Sequence, residues 1–264
     1  MDVRSKAAAP AASADDRWAR IGRNAGYLAG VSFIVGTVLY LLDALDVLGK
    51  GPEYHATNAG QLRDEANFWV AVFAHQRDIV WDIIARDTIL PIALVALIVL
   101  GLAIRHLAGS ERPEGHLMVT FLAVGGIFAI VADLTYLGAA EFWRIRGWSA
   151  NPPEIMVAVG RVTEGIDSLT RWPEAAGFAI LALGALYLAL LCRTSEALPA
   201  RGAAVAAVTA ALLVAIGIAS VARWDTPYEI LSLVLGVVLA PVLTIGLGRH
   251  LGSLGRPTRA FEDG

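Results

Sequence analysis

Six runs of apolar residues, each roughly 20 residues long, set the terms on which this chain can fold. They cover about Ala25–Leu48, Asp87–Leu107, Leu117–Ala140, Glu174–Cys192, Gly202–Val221 and Tyr228–Leu247. Coiled into helices, each reaches across a ~30 Å hydrocarbon core. A soluble two-layer domain would instead alternate short strands or show one-sided helices. Composition points the same way, with 56% hydrophobic and 17% charged residues, both outside the range of ordinary soluble domains. Ala and Gly recur in every run, as in Ala29, Gly30 and Gly36, and small residues let helices approach closely in lipid. The expected fold class is therefore all-α, a polytopic membrane bundle of six transmembrane helices.

The short connections orient the bundle. Arg17, Arg20 and Arg23 precede the first run, and Arg105 and Arg112 lie between the second and third. Arg193 and Arg201 lie between the fourth and fifth, and Arg249, Arg256 and Arg259 follow the sixth. The positive-inside rule makes all of these segments cytoplasmic, with both termini inside a cell membrane. Residues 1–24 have no apolar core or cleavage pattern of a secretory signal, and read as a disordered cytoplasmic tail. The transmembrane domain spans 25–251, and 252–264 form a second tail.

Two longer segments then fall outside. Gln61–Ile84 opens polar and turns apolar at Phe68–Ala74. Pro153–Trp172 places Ile155, Met156, Val159, Val162 and Ile166 at helical spacing. Both read as extracytoplasmic amphipathic segments lying on the bilayer or dipping into it.

This topology polarises the chain. Sixteen of the 24 acidic residues fall on the outer side, against nine of the 21 lysines and arginines. Six of the seven tryptophans are there too: Trp69, Trp81, Trp143, Trp148, Trp172 and Trp224. An aromatic belt accounts for part of that set, although a symmetric belt would mark both interfaces. Some acids have structural readings. Thr226-Pro227-Tyr228-Glu229 has the form of a capping box. Glu174 follows Pro173 at a helix start, where the dipole favours negative charge. Asp82 with Arg86, and Asp167 with Arg171, have the i,i+4 spacing of ion pairs.

Three aspartates lie deeper. Asp43 is in the outer part of the first run, Asp87 opens the second, and Asp133 lies within the third, roughly 22 Å from Met118 along the helix. An ionisable group at that depth faces a partner or a polar cavity. Tyr40 with Asp43, and Asp133 with Tyr136, share helix faces at i,i+3, and Glu141 continues the Asp133 face outward. One reading has these aspartates bind arginines and backbone amides to hold the bundle together. The other is an acid-lined pocket with aromatic walls, open outward or sideways into lipid.

Desolvation disfavours a charged carboxyl, so a buried one can stay protonated and donate its proton. Indole and phenol faces can stabilise a cation formed beside it. That inventory suits olefin protonation, the step that starts cyclisation of an isoprenoid chain. Asp133, Asp87 and Asp43 are the expected catalytic acids, with Trp81, Tyr136, Tyr40 and Glu141 lining the substrate site. The alternative is a non-enzymatic protein, a small-molecule exporter or an accessory subunit.

No cofactor is expected, because phosphate loops, glycine-rich dinucleotide turns and nucleophile elbows are missing from the sequence. Nor is a metal, since His55 and His75 lack ligand spacing and read as solvated loop residues, and Cys192 is the only cysteine. A net charge of −3 gives no basic field for nucleic acid. The expected partners are the lipid bilayer and a hydrophobic small molecule.

Several short motifs carry resemblances. Arg23-Asn24-Ala25-Gly26-Tyr27-Leu28-Ala29-Gly30, Gly184-Ala185-Leu186-Tyr187-Leu188, Leu198-Pro199 with Gly202, and Pro227-Tyr228-Glu229-Ile230 are together similar to an uncharacterised family of six-helix bacterial membrane proteins. Asp82 or Asp87 would fill that family's acid before the second helix. The Leu198-Pro199 loop has one residue fewer before its glycine. This resemblance implies the architecture and no activity. In size and scattered acids the chain also resembles the small membrane-bound terpene cyclases, which implies the cyclisation chemistry above.

Overall fold

Residues 13–52, 61–145 and 151–254 are described by a computed structural model, with side chains in the second stretch described as far as Gly138. Helices make up this structure, and there is no strand among the described residues. In chain order they are α1 (Ala14–Ala44), α2 (Leu62–Asp78), α3 (Val80–Ala108), α4 (Pro113–Ile145), α5 (Pro153–Thr194), α6 (Arg201–Ala222) and α7 (Asp225–Leu254). All but α2 contain a stretch long and apolar enough to cross a membrane, giving the six spans of a multi-pass bundle. Leu28, Val31, Val95, Ile127, Val131 and Ile218 are each at least half exposed. Such an apolar exterior suits lipid and would be unusual in water.

Neighbours in sequence are neighbours in space: α3 packs on α4, α4 on α5 and α5 on α6, while α1 packs against both α3 and α7. The core between them is built largely from alanine and leucine, with Met118, Ile216 and Leu251 fully buried. At two crossings the backbones nearly touch. A Cβ on Gly125 of α4 would lie 2.7 Å from the amide nitrogen of Leu181 and 2.9 Å from the carbonyl of Gly177 on α5. Gly26 of α1 and Gly248 of α7 form the second close approach. In lipid such contacts matter more than in water, because apolar area alone gives helices no reason to prefer each other.

The boundaries depart from the sequence expectation in instructive ways. The first helix starts at Ala14, inside what reads as a disordered tail. A capping box starts it there: Asp16 N–H donates to Ser13 Oγ (3.1 Å), and Ser13 N–H donates to Asp16 Oδ2 (3.2 Å). Trp18 then stacks on His106 of α3 with ring centroids 5.1 Å apart. The segment Pro153–Trp172 is not a separate interfacial helix. It continues straight through Pro173 into the fourth span as the 42-residue α5, about 63 Å long. That is about twice the ~30 Å core, so its first half extends past the end of the bundle. Proline costs a membrane helix little when neighbouring helices hold both sides of it.

The other amphipathic segment is a helix of its own, α2, and it packs along this extension of α5. Trp69 lies flat against Gly160, Glu65 pairs with Arg161 (3.3 Å), and Phe73, Ile83 and Met156 form a small second core. The last helix carries a π-helical stretch, Val234–Leu239, where Gly236 meets Thr37 of α1.

The glycine contacts generate a test. Gly125→Leu places its side chain against backbone that cannot move aside, and is expected to lower stability by about 1–3 kcal/mol. Gly165→Ala, in open space on α5, is expected to raise it by about 0.5–1 kcal/mol. Thermal unfolding in detergent measures both, and equal transitions for the two variants would contradict the close α4–α5 crossing.

Candidate functional site

Five of the spanning helices change character at the end of the bundle near the start of α3. Tyr40 and Asp43 sit in the last turns of α1, Arg86 and Asp87 in the second turn of α3, and Asp133 and Tyr136 on one face of α4. Asp167, Thr170, Arg171 and Glu174 recur every three or four residues on α5, and α7 contributes Asp225, Tyr228 and Glu229. With Ser220 at the end of α6 these side chains line one cavity of about 300 Å³. Asp43, Asp87 and Asp133, expected together from the sequence, do meet there, and Tyr40 and Tyr136 meet them.

Arg86 organises the first half of the cavity. It is 8% exposed. Its Nε donates to Asp87 Oδ1 at 2.8 Å, and its Nη1 lies 3.6 Å from Asp43 Oδ2. The guanidinium carbon sits 5.7 Å from the centroid of the Tyr40 ring and 5.8 Å from that of Tyr136, within cation–π range of both. The i,i+4 pair expected between Asp82 and Arg86 is replaced by the adjacent Asp87. Asp82 Oδ2 is buried with no hydrogen-bond donor among the described residues, and Asp87 Oδ2 is left the same way. His75, read from sequence as a loop residue, ends α2 instead, with Nε2 4.0 Å from Asp43.

Arg171 organises the other half. Its Nε donates to Asp167 Oδ2 at 3.1 Å, the i,i+4 pair the sequence suggests, and its Nη1 lies 3.7 Å from Asp225. Next to it Glu174 accepts hydrogen bonds from Ser220 Oγ (2.9 Å) and from the Tyr228 hydroxyl (2.6 Å). Tyr228 in turn meets Tyr40 edge to face, centroids 6.3 Å apart. Two prolines lie at this level, Pro91 in α3 and Pro173 in α5. Each withholds the amide proton that the carbonyl four residues earlier, on Asp87 and Leu169, would accept in an uninterrupted helix.

Several expectations are corrected here. Glu174 does not start a helix; it stands in mid-helix because α5 runs on through Pro173. Thr226 is not an N-cap, since α7 begins at Asp225 with Trp224 before it and no side-chain cap bond. Glu229 therefore faces the cavity instead of reaching back. Trp81 does not line the site. It is 70% exposed, and five residues before Arg86 it points roughly 140° away around α3. No tryptophan with a described side chain walls the cavity: Trp172 and Trp224 are 66% and 57% exposed, and Trp69 packs on α5; the side chains of Trp143 and Trp148 lie outside the described ones. Its aromatic wall is tyrosine. The side chain of Glu141 and the whole of His55 lie outside what the structure describes.

The sequence reading missed Glu174, Arg171, Ser220 and Tyr228 as members of one site. Their signal was present in the 3.6-residue recurrence of Asp167, Thr170, Arg171 and Glu174. It is visible only if helix periodicity is carried across Pro173.

Among the described residues, seven carboxyl side chains and two guanidinium groups thus line the cavity. Asp43, Asp87, Asp167 and Asp225 face arginines, and Glu174 is held by two hydroxyls. Asp133, deep in α4, and Glu229, near the mouth, form no hydrogen bond or ion pair with a described residue. Such an arrangement can hold a cation, or deliver a proton from a carboxyl that no described residue engages.

Arg86 offers the structural test. Arg86→Gln leaves Asp87 and Asp43 without their buried counter-charge, and a loss of about 3 kcal/mol is expected. Adding Asp87→Asn should restore part of it. A double-mutant cycle on thermal unfolding in detergent reads the coupling, and strictly additive effects would argue against the pair.

No known family model, curated protein or solved structure matches this chain.

Proposed function

We propose that this protein is a membrane-embedded enzyme that transfers a proton from Asp133 to a hydrophobic isoprenoid-type substrate. The observation that carries the proposal is the contrast within the cavity: the other deep carboxyls are engaged, whereas Asp133 has no partner among the described residues. A carboxyl kept inside a membrane helix without a partner is costly, and a task in proton transfer gives a reason for it.

In the proposed step the Asp133 carboxylic acid protonates a substrate double bond. A C–H bond forms from the π pair, and the carboxylate remains beside the new carbocation. The rings of Tyr40, Tyr136 and Tyr228 stabilise that charge. Closing a ring and returning a proton to a carboxylate completes an isomerisation that consumes no oxidant or reductant. Asp87 and Asp43 are positioning residues in this scheme, since both are held by Arg86. At about 300 Å³ the cavity is at the lower end of small-molecule sites. The arginines at the opposite end favour a cytoplasmic location for that end and so support an outer-leaflet position for the cavity.

A second reading draws on the surplus of carboxyls over guanidiniums. An exporter of lipophilic amines would need that surplus, with the ligand's ammonium taking the place of the proton on Asp133.

The two readings separate in reconstituted vesicles supplied with labelled polyprenyl substrates. Asp133→Asn is expected to lower product formation at least about 100-fold while leaving the yield of folded protein unchanged. Full activity in that variant would remove Asp133 from the mechanism. Proton-gradient-driven uptake of a lipophilic amine, with no conversion of any polyprenyl substrate, would replace the enzyme reading with the exporter.

A further inference from the structure

The last two spans hardly touch at the end of the bundle opposite the acidic cavity. α6 lies against α5, and α7 lies against α1, which leaves a groove of about 450 Å³ between α6 and α7. Its mouth carries Arg201, the first residue of α6, and Arg249, His250 and Ser253 near the end of α7. Its floor is apolar, with Val205 on one side and Val242 and Gly246 on the other.

Three features set this groove apart from an ordinary positive-inside fringe. Arg201 and Arg249 are exposed and make no ion pair with a described residue, whereas both cavity arginines are bridged by carboxylates. Among the described residues no Asp or Glu lines the groove. His250 is held in place by donating from Nε2 to the Ala197 carbonyl at 3.0 Å. The topology rule asks only for positive charge at this end. It does not ask for two guanidiniums from different helices, with no acidic partner among the described residues, to converge over an apolar trough.

The lining is also ordered along the helices. Val205 lies one turn beyond Arg201 on α6, and Val242 two turns before Arg249 on α7. The apolar floor therefore sits roughly 6–10 Å deeper along the helices than the guanidiniums. Anionic group at the mouth, hydrocarbon below: that is the order of charge and chain in a phospholipid.

We propose that the α6–α7 groove binds an anionic phospholipid, its headgroup phosphate between Arg201 and Arg249 and an acyl chain along Val205, Val242 and Gly246. Basic pockets between spanning helices take such headgroups by charge-assisted hydrogen bonds. Inorganic phosphate shares the headgroup chemistry but has no use for the apolar floor, so the floor decides between the two. The site stands apart from the acidic cavity and does not depend on its function.

Purified protein titrated with phosphatidylglycerol or phosphatidylcholine, with bound lipid counted by native mass spectrometry, tests the proposal. The wild type should prefer phosphatidylglycerol. Arg201→Gln with Arg249→Gln should reduce that preference about thirty-fold, if each arginine contributes as basic residues do at anionic membrane surfaces. Arg249→Lys should keep most of it and controls for folding. A Cβ at Gly246 meets nothing within 4 Å, so Gly246→Leu should fold normally. It should fill the trough and weaken phosphatidylglycerol binding, while leaving retention of inorganic phosphate unchanged. Equal affinity for the two lipids in the wild type, or an unaltered preference in the double glutamine variant, would overturn the proposal. So would undiminished phosphatidylglycerol binding by Gly246→Leu, because headgroup contacts alone would then explain the data.

Discussion

A guanidinium buried in a membrane bundle has few ways to persist, and Arg86 uses most of them at once. It donates a charge-assisted hydrogen bond to its neighbour Asp87 on α3, forms an ion pair with Asp43 on α1, and lies against two tyrosine faces from α1 and α4. Each contact would be weak in water. Where water is scarce they determine one another, because removing any of them leaves a charge without compensation. Arg171 repeats the solution on the far side of the cavity, joining Asp167 on α5 to Asp225 on α7 and reaching the carbonyl of Ser220 on α6. At this end, then, charge pairs hold the helices. Away from it, the helices are held by glycine and alanine at close range. The cavity exists because two charged clusters hold the ring of helices open where apolar side chains would have closed it.

That division explains which parts of the structure could be read from sequence. The spans are legible because twenty apolar residues in a row have few alternatives. The three aspartates are legible because ionisable residues at that depth need a reason to be there, and all three reach the same cavity. Periodicity also found Asp133 with Tyr136, and Asp43 with Tyr40. It failed at Pro173, where a helix-breaking rule learned from water was applied to a segment clamped on both sides by other helices. Reading a new helix start there gave Glu174 a dipole to satisfy and hid its place in the cavity. The same habit made Thr226-Pro227 a cap, and so turned Glu229 away from the site it faces.

Arg86 was mispaired for a related reason. On an isolated helix Asp82, one turn away, is the natural partner. Inside the bundle the guanidinium instead points between α1 and α4, and the adjacent Asp87 is the acid on that side. Tryptophan misled differently. Its abundance at one end suggested a cavity wall, but indole is large and amphipathic, and here the exposed rings of Trp81, Trp172 and Trp224 suit the headgroup region. Phenol, slimmer and with a hydroxyl to donate to Glu174, fits the interior. Which aromatic walls a cavity depends on packing, and no spacing rule carries that.

The balance of charge bears on whether the polar end is structural or functional. If the carboxyls served only to neutralise Arg86 and Arg171, two to four of them would do, and each would point at a guanidinium. Seven are present. Glu174 is held by two hydroxyls and forms no ion pair with either guanidinium. Asp133 pairs with neither arginine and has no partner among the described residues. A bundle selected for stability alone would place leucine or alanine there, as it does at the adjacent positions Ala132 and Leu134. The residue that the fold can least account for is therefore the one through which a proton or a cation has most to gain.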